Sequence, residues 1–129
     1  MLKKAVFPGK YIQGPGAISE LPKLVRLLGK RGLLLASPSV REKVLPKCAI
    51  DLAAEGIHIE PFRGECCEDE VHRLITLVTT KQVDVLIGMG GGKTIDTAKT
   101  AADRVEIPVI VVPTIASSDA PCSGCSVLY

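Results

Sequence analysis

Apolar residues recur at helical spacing early in the chain. In GAISELPKLVRLLGKRG, Ile18, Leu21, Val25 and Leu28 fall on one face. Pro22 comes early enough in this helix to be tolerated, and Gly29 or Gly32 stops it. The run LLLA, Leu33 to Ala36, is short and wholly apolar, as a buried strand is. Ser37, Pro38 and Ser39 form a turn able to cap the helix that follows. That helix is predicted over Val40 to Glu55, with Val44, Leu45, Cys48, Leu52 and Ala53 on one face and a kink at Pro46. IHIEPF reads as a strand, and EDEVHRLITLVTTKQ as an amphipathic helix with acids in its first turn, where the dipole favours them.

VDVLIG is a further strand, leading into the glycine-rich stretch GMGGGKTIDTAK. TIDTAKTAADR is helical, and IPVIVVP is an apolar strand buried on both faces. Strand and helix therefore alternate at least three times, which predicts an α/β fold: a parallel sheet with helices on both sides. The last residues, CSGCSVLY, are strand-like and reach Tyr129 without a turn or capping helix. A parallel domain stopping there would leave an open edge, so the chain is expected to be truncated.

Composition narrows the function classes. The chain has 129 residues, enough for one domain with a core. Net charge is +2 with both signs interspersed, and aromatics make up 3%, so a basic or stacking surface for nucleic acid is not expected. MLKKAVFPGKYIQG lacks the apolar run of a signal peptide, and no stretch is long and apolar enough to span a bilayer. A soluble, cytoplasmic protein without membrane contact is expected. Five cysteines is an odd count that fits poorly with a disulfide framework. Cys66–Cys67 with Cys122-x-x-Cys125 makes a poor zinc site, because adjacent thiols diverge and zinc motifs pair spaced hooks. A redox C-x-x-C belongs at a helix start, whereas PCSGCSVLY runs into strand-like residues. Reduced thiols in or near the core are the plain expectation.

The glycine loop suggests nucleotide phosphate. A P-loop needs four residues between its first glycine and Gly-Lys-Thr, and Gly88 to Gly92 encloses only three. Pro113 also stands where a Walker-B aspartate would hold magnesium. The fingerprint G-x-G-x-x-G matches Gly88 and Gly90 but has Lys93 in place of its third glycine. What remains is the physics these motifs share: a strand, a loop without Cβ atoms, then a helix N-terminus with free N–H groups. Such a site suits a pyrophosphate, and Lys93 adds a cation; the alternative is a turn that only packs helix on strand. A second cluster, PTIASSDAPCS, supplies Thr114, Ser117, Ser118, Asp119 and Ser123 after another buried strand. Its hydroxyls and single carboxylate suit a ribose or polyol, or else a capping turn. Both loops leave the carboxyl ends of neighbouring strands, where open parallel sheets bind ligands.

PGKYIQG, GMGGGKTIDTAK and PTIASSDAPCSGCSVLY, in this order and spacing, resemble the metal-dependent (iron-containing) alcohol dehydrogenase superfamily, and within it the glycerol dehydrogenases. The resemblance implies that residues 1–129 are most of a Rossmann-like, N-terminal NAD-binding domain, truncated at its C-terminal end. It implies NAD-dependent oxidation of glycerol to dihydroxyacetone by a full-length homo-oligomer, with a small polyol as substrate. It makes Gly92 and Lys93 the pyrophosphate contacts, in a cofactor loop that includes Gly90 and Gly91. It puts Thr114 and Ser117 near the adenosine and ribose, and Ser123, Cys125 and Tyr129 on the nicotinamide side. Asp119 matches the aspartate that reaches the polyol.

Two positions depart from the pattern. Ser37 stands where the family has a ribose-binding aspartate that repels a 2′-phosphate, which leaves the choice between NAD and NADP open. Cys125 replaces a residue that is commonly leucine. Zinc in the family is held by one aspartate and two histidines of a helical C-terminal domain absent here. His58 and His72 match no ligand position, so this chain alone is expected to be inactive. The competing readings are a non-catalytic nucleotide-binding fragment, and a relative acting on a phosphorylated polyol or sugar-derived acid. The latter would show basic residues in the second loop, and TIASSDAPCS has none.

Overall fold

The computed structural model describes residues 11–13, 20–47, 51–113 and 124–128. Their strands form one sheet in the order β1-β6-β5-β4-β2-β3, with β1 at Tyr11–Gln13, β2 at Gly32–Ala36, β3 at Ile57–Pro61, β4 at Val85–Gly90, β5 at Val109–Pro113 and β6 at Gly124–Leu128. The four strands β2 to β5 are parallel, as the alternation of strand and helix predicts. β6 runs antiparallel to β5, and β1 pairs with its far side. β6 is therefore not the edge of the sheet that the sequence predicts, because Tyr11–Gln13 pairs with its residues Gly124 to Ser126.

The helices are α1 at Leu21–Leu28, α2 at Glu68–Lys81 and α3 at Gly92–Val105. Two apolar layers follow from the strict alternation of side chains in the strands. Leu34, Ile87 and Ile110 align across β2, β4 and β5 and pack with Leu21, Leu24 and Val25 of α1. Leu33, Leu86 and Val109 align on the opposite face, under Val71, Leu74 and Val78 of α2 and Ala98, Ala101 and Ala102 of α3. α3 approaches β4 closely. A Cβ on Gly88 would lie 2.9 Å from the Ala98 Cβ, so this glycine is a packing residue.

α1 carries its proline in the first turn and ends at Gly29, while Gly32 opens β2. The helix predicted over Val40 to Glu55 does not form as one element. Val40–Val44 winds with a wide turn in which Leu45 N–H reaches the Val40 carbonyl, and Leu45–Lys47 tightens to a 3₁₀ turn around Pro46. Proline lacks the N–H that continuation requires, and its ring crowds the carbonyl four residues back. Residues 48–50, Cys48 among them, lie outside the described residues, and beyond them a short 3₁₀ turn forms at Ala53–Glu55, where Ala53 is exposed and Leu52 is buried. Cys66 and Cys67 are exposed free thiols rather than core residues.

A polar cluster ties β3 to α2. Arg73 donates through Nε and Nη2 to Glu70, through Nη1 to Glu60, and through Nη2 to the Pro61 carbonyl. Glu70 also accepts the Arg63 N–H at 3.1 Å. Burial opposes ionisation of both carboxyls, but His58 and Arg73 at Glu60, and Arg73 and the Arg63 N–H at Glu70, outweigh it. Both pKa values therefore lie below the ordinary 4.5. Groups with a lowered folded pKa stabilise fully above the unfolded value and lose that contribution as pH falls through the folded one. Stability should thus be flat near neutrality and fall as pH drops below about 4.5. Urea midpoints at pH 7, 4.5 and 3 check this, and Glu70→Gln should flatten the acid limb.

Candidate nucleotide site at the carboxyl ends of β2 and β4

In the parallel part of the sheet, β2 lies between β3 and β4. The chain leaves β2 along the face of α1 and leaves β4 along the face of α3, so its connections diverge from the gap between these strands. Open α/β sheets bind ligands outside the carboxyl ends of the strands at such a switch point. Here the register places Ala36 beside Met89, and Ser37 N–H donates to the Met89 carbonyl at 3.2 Å. The end of β2 and the start of the glycine loop are thus joined.

The glycines of the loop have different tasks. Gly90 has φ +149, and a Cβ there would meet Ser37 Cβ and Oγ at 2.8 Å and Thr94 Oγ1 at 3.1 Å. Gly90 lets the strand end press against both neighbours. Gly91, in extended conformation, caps α3, and Gly92 is its first residue; among the described residues, no atom beyond their own chain neighbours and helix comes within 4 Å of a Cβ built on either. Both are exposed, so among the described residues the space before the helix is open.

The electrostatics separate this helix start from its neighbour. α2 fills its first turn with Glu68, Asp69 and Glu70, whereas α3 has no acid in its first turn. The first N–H groups of a helix lack internal partners and carry about half a positive charge. At α2 that charge is met by the protein's own carboxylates. At α3 it faces the open glycine loop, a suitable seat for an external anion.

Lys93 projects from the same turn, with its Nζ 3.0 Å from Glu65 Oε2. Ser37 is nearly buried; its Oγ accepts the Val40 N–H at 3.3 Å and lies 3.4 Å from Ser39 Oγ. It is therefore the cap that the Ser-Pro-Ser turn predicts, and it also borders Gly90. Thr94 is the residue that sequence reasoning passed over. It is buried against Gly90, and its place directly after Gly-Lys was the available signal.

β5 ends at Pro113, paired in register with Gly90, so the second loop departs beside the first. Thr114, Ser117, Ser118, Asp119, Ser123 and Tyr129 lie outside the described residues, and Cys125 is a β6 residue paired with Ile12. A cleft of about 390 Å³ lined by Arg31, His58 and Lys81 opens at the amino ends of the strands, away from this site.

The model of the family described as iron-containing alcohol dehydrogenase matches residues 8–129. The chain belongs to the iron-containing alcohol dehydrogenases. It is similar to the glycerol dehydrogenase of Thermotoga maritima, 42% identical over 130 residues that cover 100% of this chain and 35% of that protein. The glycerol dehydrogenase of Escherichia coli is 42% identical over 125 residues, 95% of this chain and 34% of its own. The crystal structure of glycerol dehydrogenase from Schizosaccharomyces pombe superimposes with a TM-score of 0.72 at 33% identity, covering 92% of this chain and 32% of that one. The chain thus spans about a third of the length of the curated relatives it matches.

A metal of the iron-containing alcohol dehydrogenases does not fit the residues described. Among them no group of three or more His, Cys, Asp or Glu side chains is placed to hold an ion. His58 Nε2 lies 3.0 Å from Glu60 Oε1, and His72 Nε2 lies 3.4 Å from Glu68 Oε2. Both histidines are engaged with carboxylates at or near the surface. Among the described residues no helix is long and apolar enough to cross a membrane.

Proposed function

We propose that this chain is the nucleotide-binding part of an NAD-dependent polyol dehydrogenase that oxidises glycerol to dihydroxyacetone. The observation that carries the reading is the start of α3: a helix N-terminus free of acids, opened by Gly91 and Gly92, at the β2/β4 switch point. NAD held there would supply the hydride acceptor for oxidation of the polyol's carbinol carbon. The N–H groups at Gly92 and Lys93 would hold its pyrophosphate, and the Lys93 ammonium would offset the charge. Ser37 lies toward the adenosine ribose, and Thr114 and Ser117 supply further hydroxyls there. Ser123, Cys125 and Tyr129 would serve the nicotinamide side, and Asp119 would accept hydrogen bonds from the polyol.

Residues 1–129 form an N-terminal nucleotide domain in this reading, and the zinc ligands belong to a helical domain beyond it. The whole protein works as a cytoplasmic homo-oligomer. The limited share of the curated relatives that the chain covers supports that division. The test is an assay of the whole protein with glycerol, NAD or NADP, and zinc; absence of glycerol-dependent NADH formation overturns the proposal.

Cofactor choice gives a narrower test. A serine hydroxyl can bond a ribose but does not repel a 2′-phosphate. Ser37→Asp should therefore sharpen the preference for NAD over NADP, and an aspartate remains a competent helix cap. Equal ratios of kcat/KM for the two cofactors in both proteins would move position 37 away from the ribose.

A further inference from the structure

The Glu65–Lys93 pair joins two connections that the sequence keeps 28 residues apart. Glu65 lies in the loop from β3 to α2, whose first residues are held in place. Phe62 is buried and its N–H donates to the Ala36 carbonyl at 2.9 Å. The Arg63 N–H is held by Glu70, and Arg73 holds the Pro61 carbonyl. This loop carries an acid to the rim of the helix start that lacks one.

The pair itself is wet. The Lys93 and Glu65 side chains are 64% and 72% exposed, and such pairs contribute little to stability. A weak contact on the cation nearest an anion site is well placed for exchange. On the reading that α3 receives a pyrophosphate, the geometry points to Glu65 as a competing anion. It holds the Lys93 ammonium in the absence of nucleotide and yields it when the pyrophosphate arrives. Glu65 thereby lowers dinucleotide affinity and eases release, acting through Lys93 as a positioning residue.

The test titrates NADH fluorescence on the whole protein, wild type and Glu65→Gln, at low salt and at high salt. Glu65→Gln should bind NADH about two- to fivefold more tightly at low ionic strength, the range a surface ion pair allows. Salt should close the gap, since exposed charges are screened. The thermal midpoint should not move, which separates exchange from a structural role. In a Lys93→Met background Glu65→Gln should have no effect; a persisting gain would mean general repulsion of phosphate and overturn competition for Lys93. Unchanged or weaker binding by Glu65→Gln, with saturable binding by the wild type, overturns this inference alone. No saturable NADH binding by the wild type overturns the nucleotide reading as well.

Discussion

Gly92→Ala is expected to leave the fold intact while weakening NADH binding about tenfold or more, a loss of roughly 1.4 kcal/mol. Among the described residues, the built Cβ at Gly92 meets nothing within 4 Å beyond its chain neighbours and its own helix, and the residue opens α3 in ordinary helical backbone. Replacing glycine there removes freedom from the unfolded chain and suits the helix, so stability should hold or rise slightly. The methyl instead enters the space before the helix that a pyrophosphate would need.

Gly90→Ala should behave in the opposite sense. Its φ of +149 is one that side chains rarely adopt, and its Cβ would lie 2.8 Å from Ser37. Strain of about 1–3 kcal/mol should appear directly as lost stability. Thermal unfolding and NADH titration of both variants separate the two roles. If Gly92→Ala binds NADH as well as the wild type does, the loop is a packing turn and the nucleotide reading fails.

The contrast shows what the sequence could carry. Density of glycine announces a site, but not that Gly88 receives Ala98 and Gly90 receives Ser37, while among the described residues Gly91 and Gly92 stay open. Those assignments depend on which strand lies beside β4, and strand order is a tertiary property. The parallel sheet was legible because its strands are continuous apolar runs such as LLLA and VIVV, with helical periods between them. The apolar spacing after Ser37 reads as one helix past Pro46, but the described backbone winds as a wide turn over Val40–Val44 and then tightens to a 3₁₀ turn at Leu45–Lys47, a change that apolar spacing does not carry. β6 was legible as a strand, but its antiparallel course and its partner β1 are long-range pairings that no local pattern encodes. Glu65 was invisible for the same reason: a lone exposed acid acquires a role only when the fold brings it to Lys93.

Arg73→Met is expected to cost about 3–5 kcal/mol, because it strands carboxylates that the fold has already removed from water. Glu70 retains 5% of its side-chain exposure and Glu60 18%, so water cannot replace the guanidinium fully. The same arginine also bonds the Pro61 carbonyl, so the end of β3 loses a tie to α2. Methionine keeps part of the apolar stem and isolates the electrostatic loss. In a domain of this size the melting temperature should fall by roughly ten degrees or more. The pH dependence distinguishes this cause from a simple packing defect. Without Arg73, Glu70 keeps the burial that opposes ionisation and loses the guanidinium that lowers its pKa, so its folded pKa moves up from the wild-type position and protonation relieves part of the loss. The gap between variant and wild type should therefore narrow as pH falls from 7 toward 4, while a packing defect would keep it constant. Urea unfolding of both proteins across that range decides it. A gap that stays constant, or one below about 1 kcal/mol at pH 7, would show that the cluster is solvated and not a buried tie between β3 and α2.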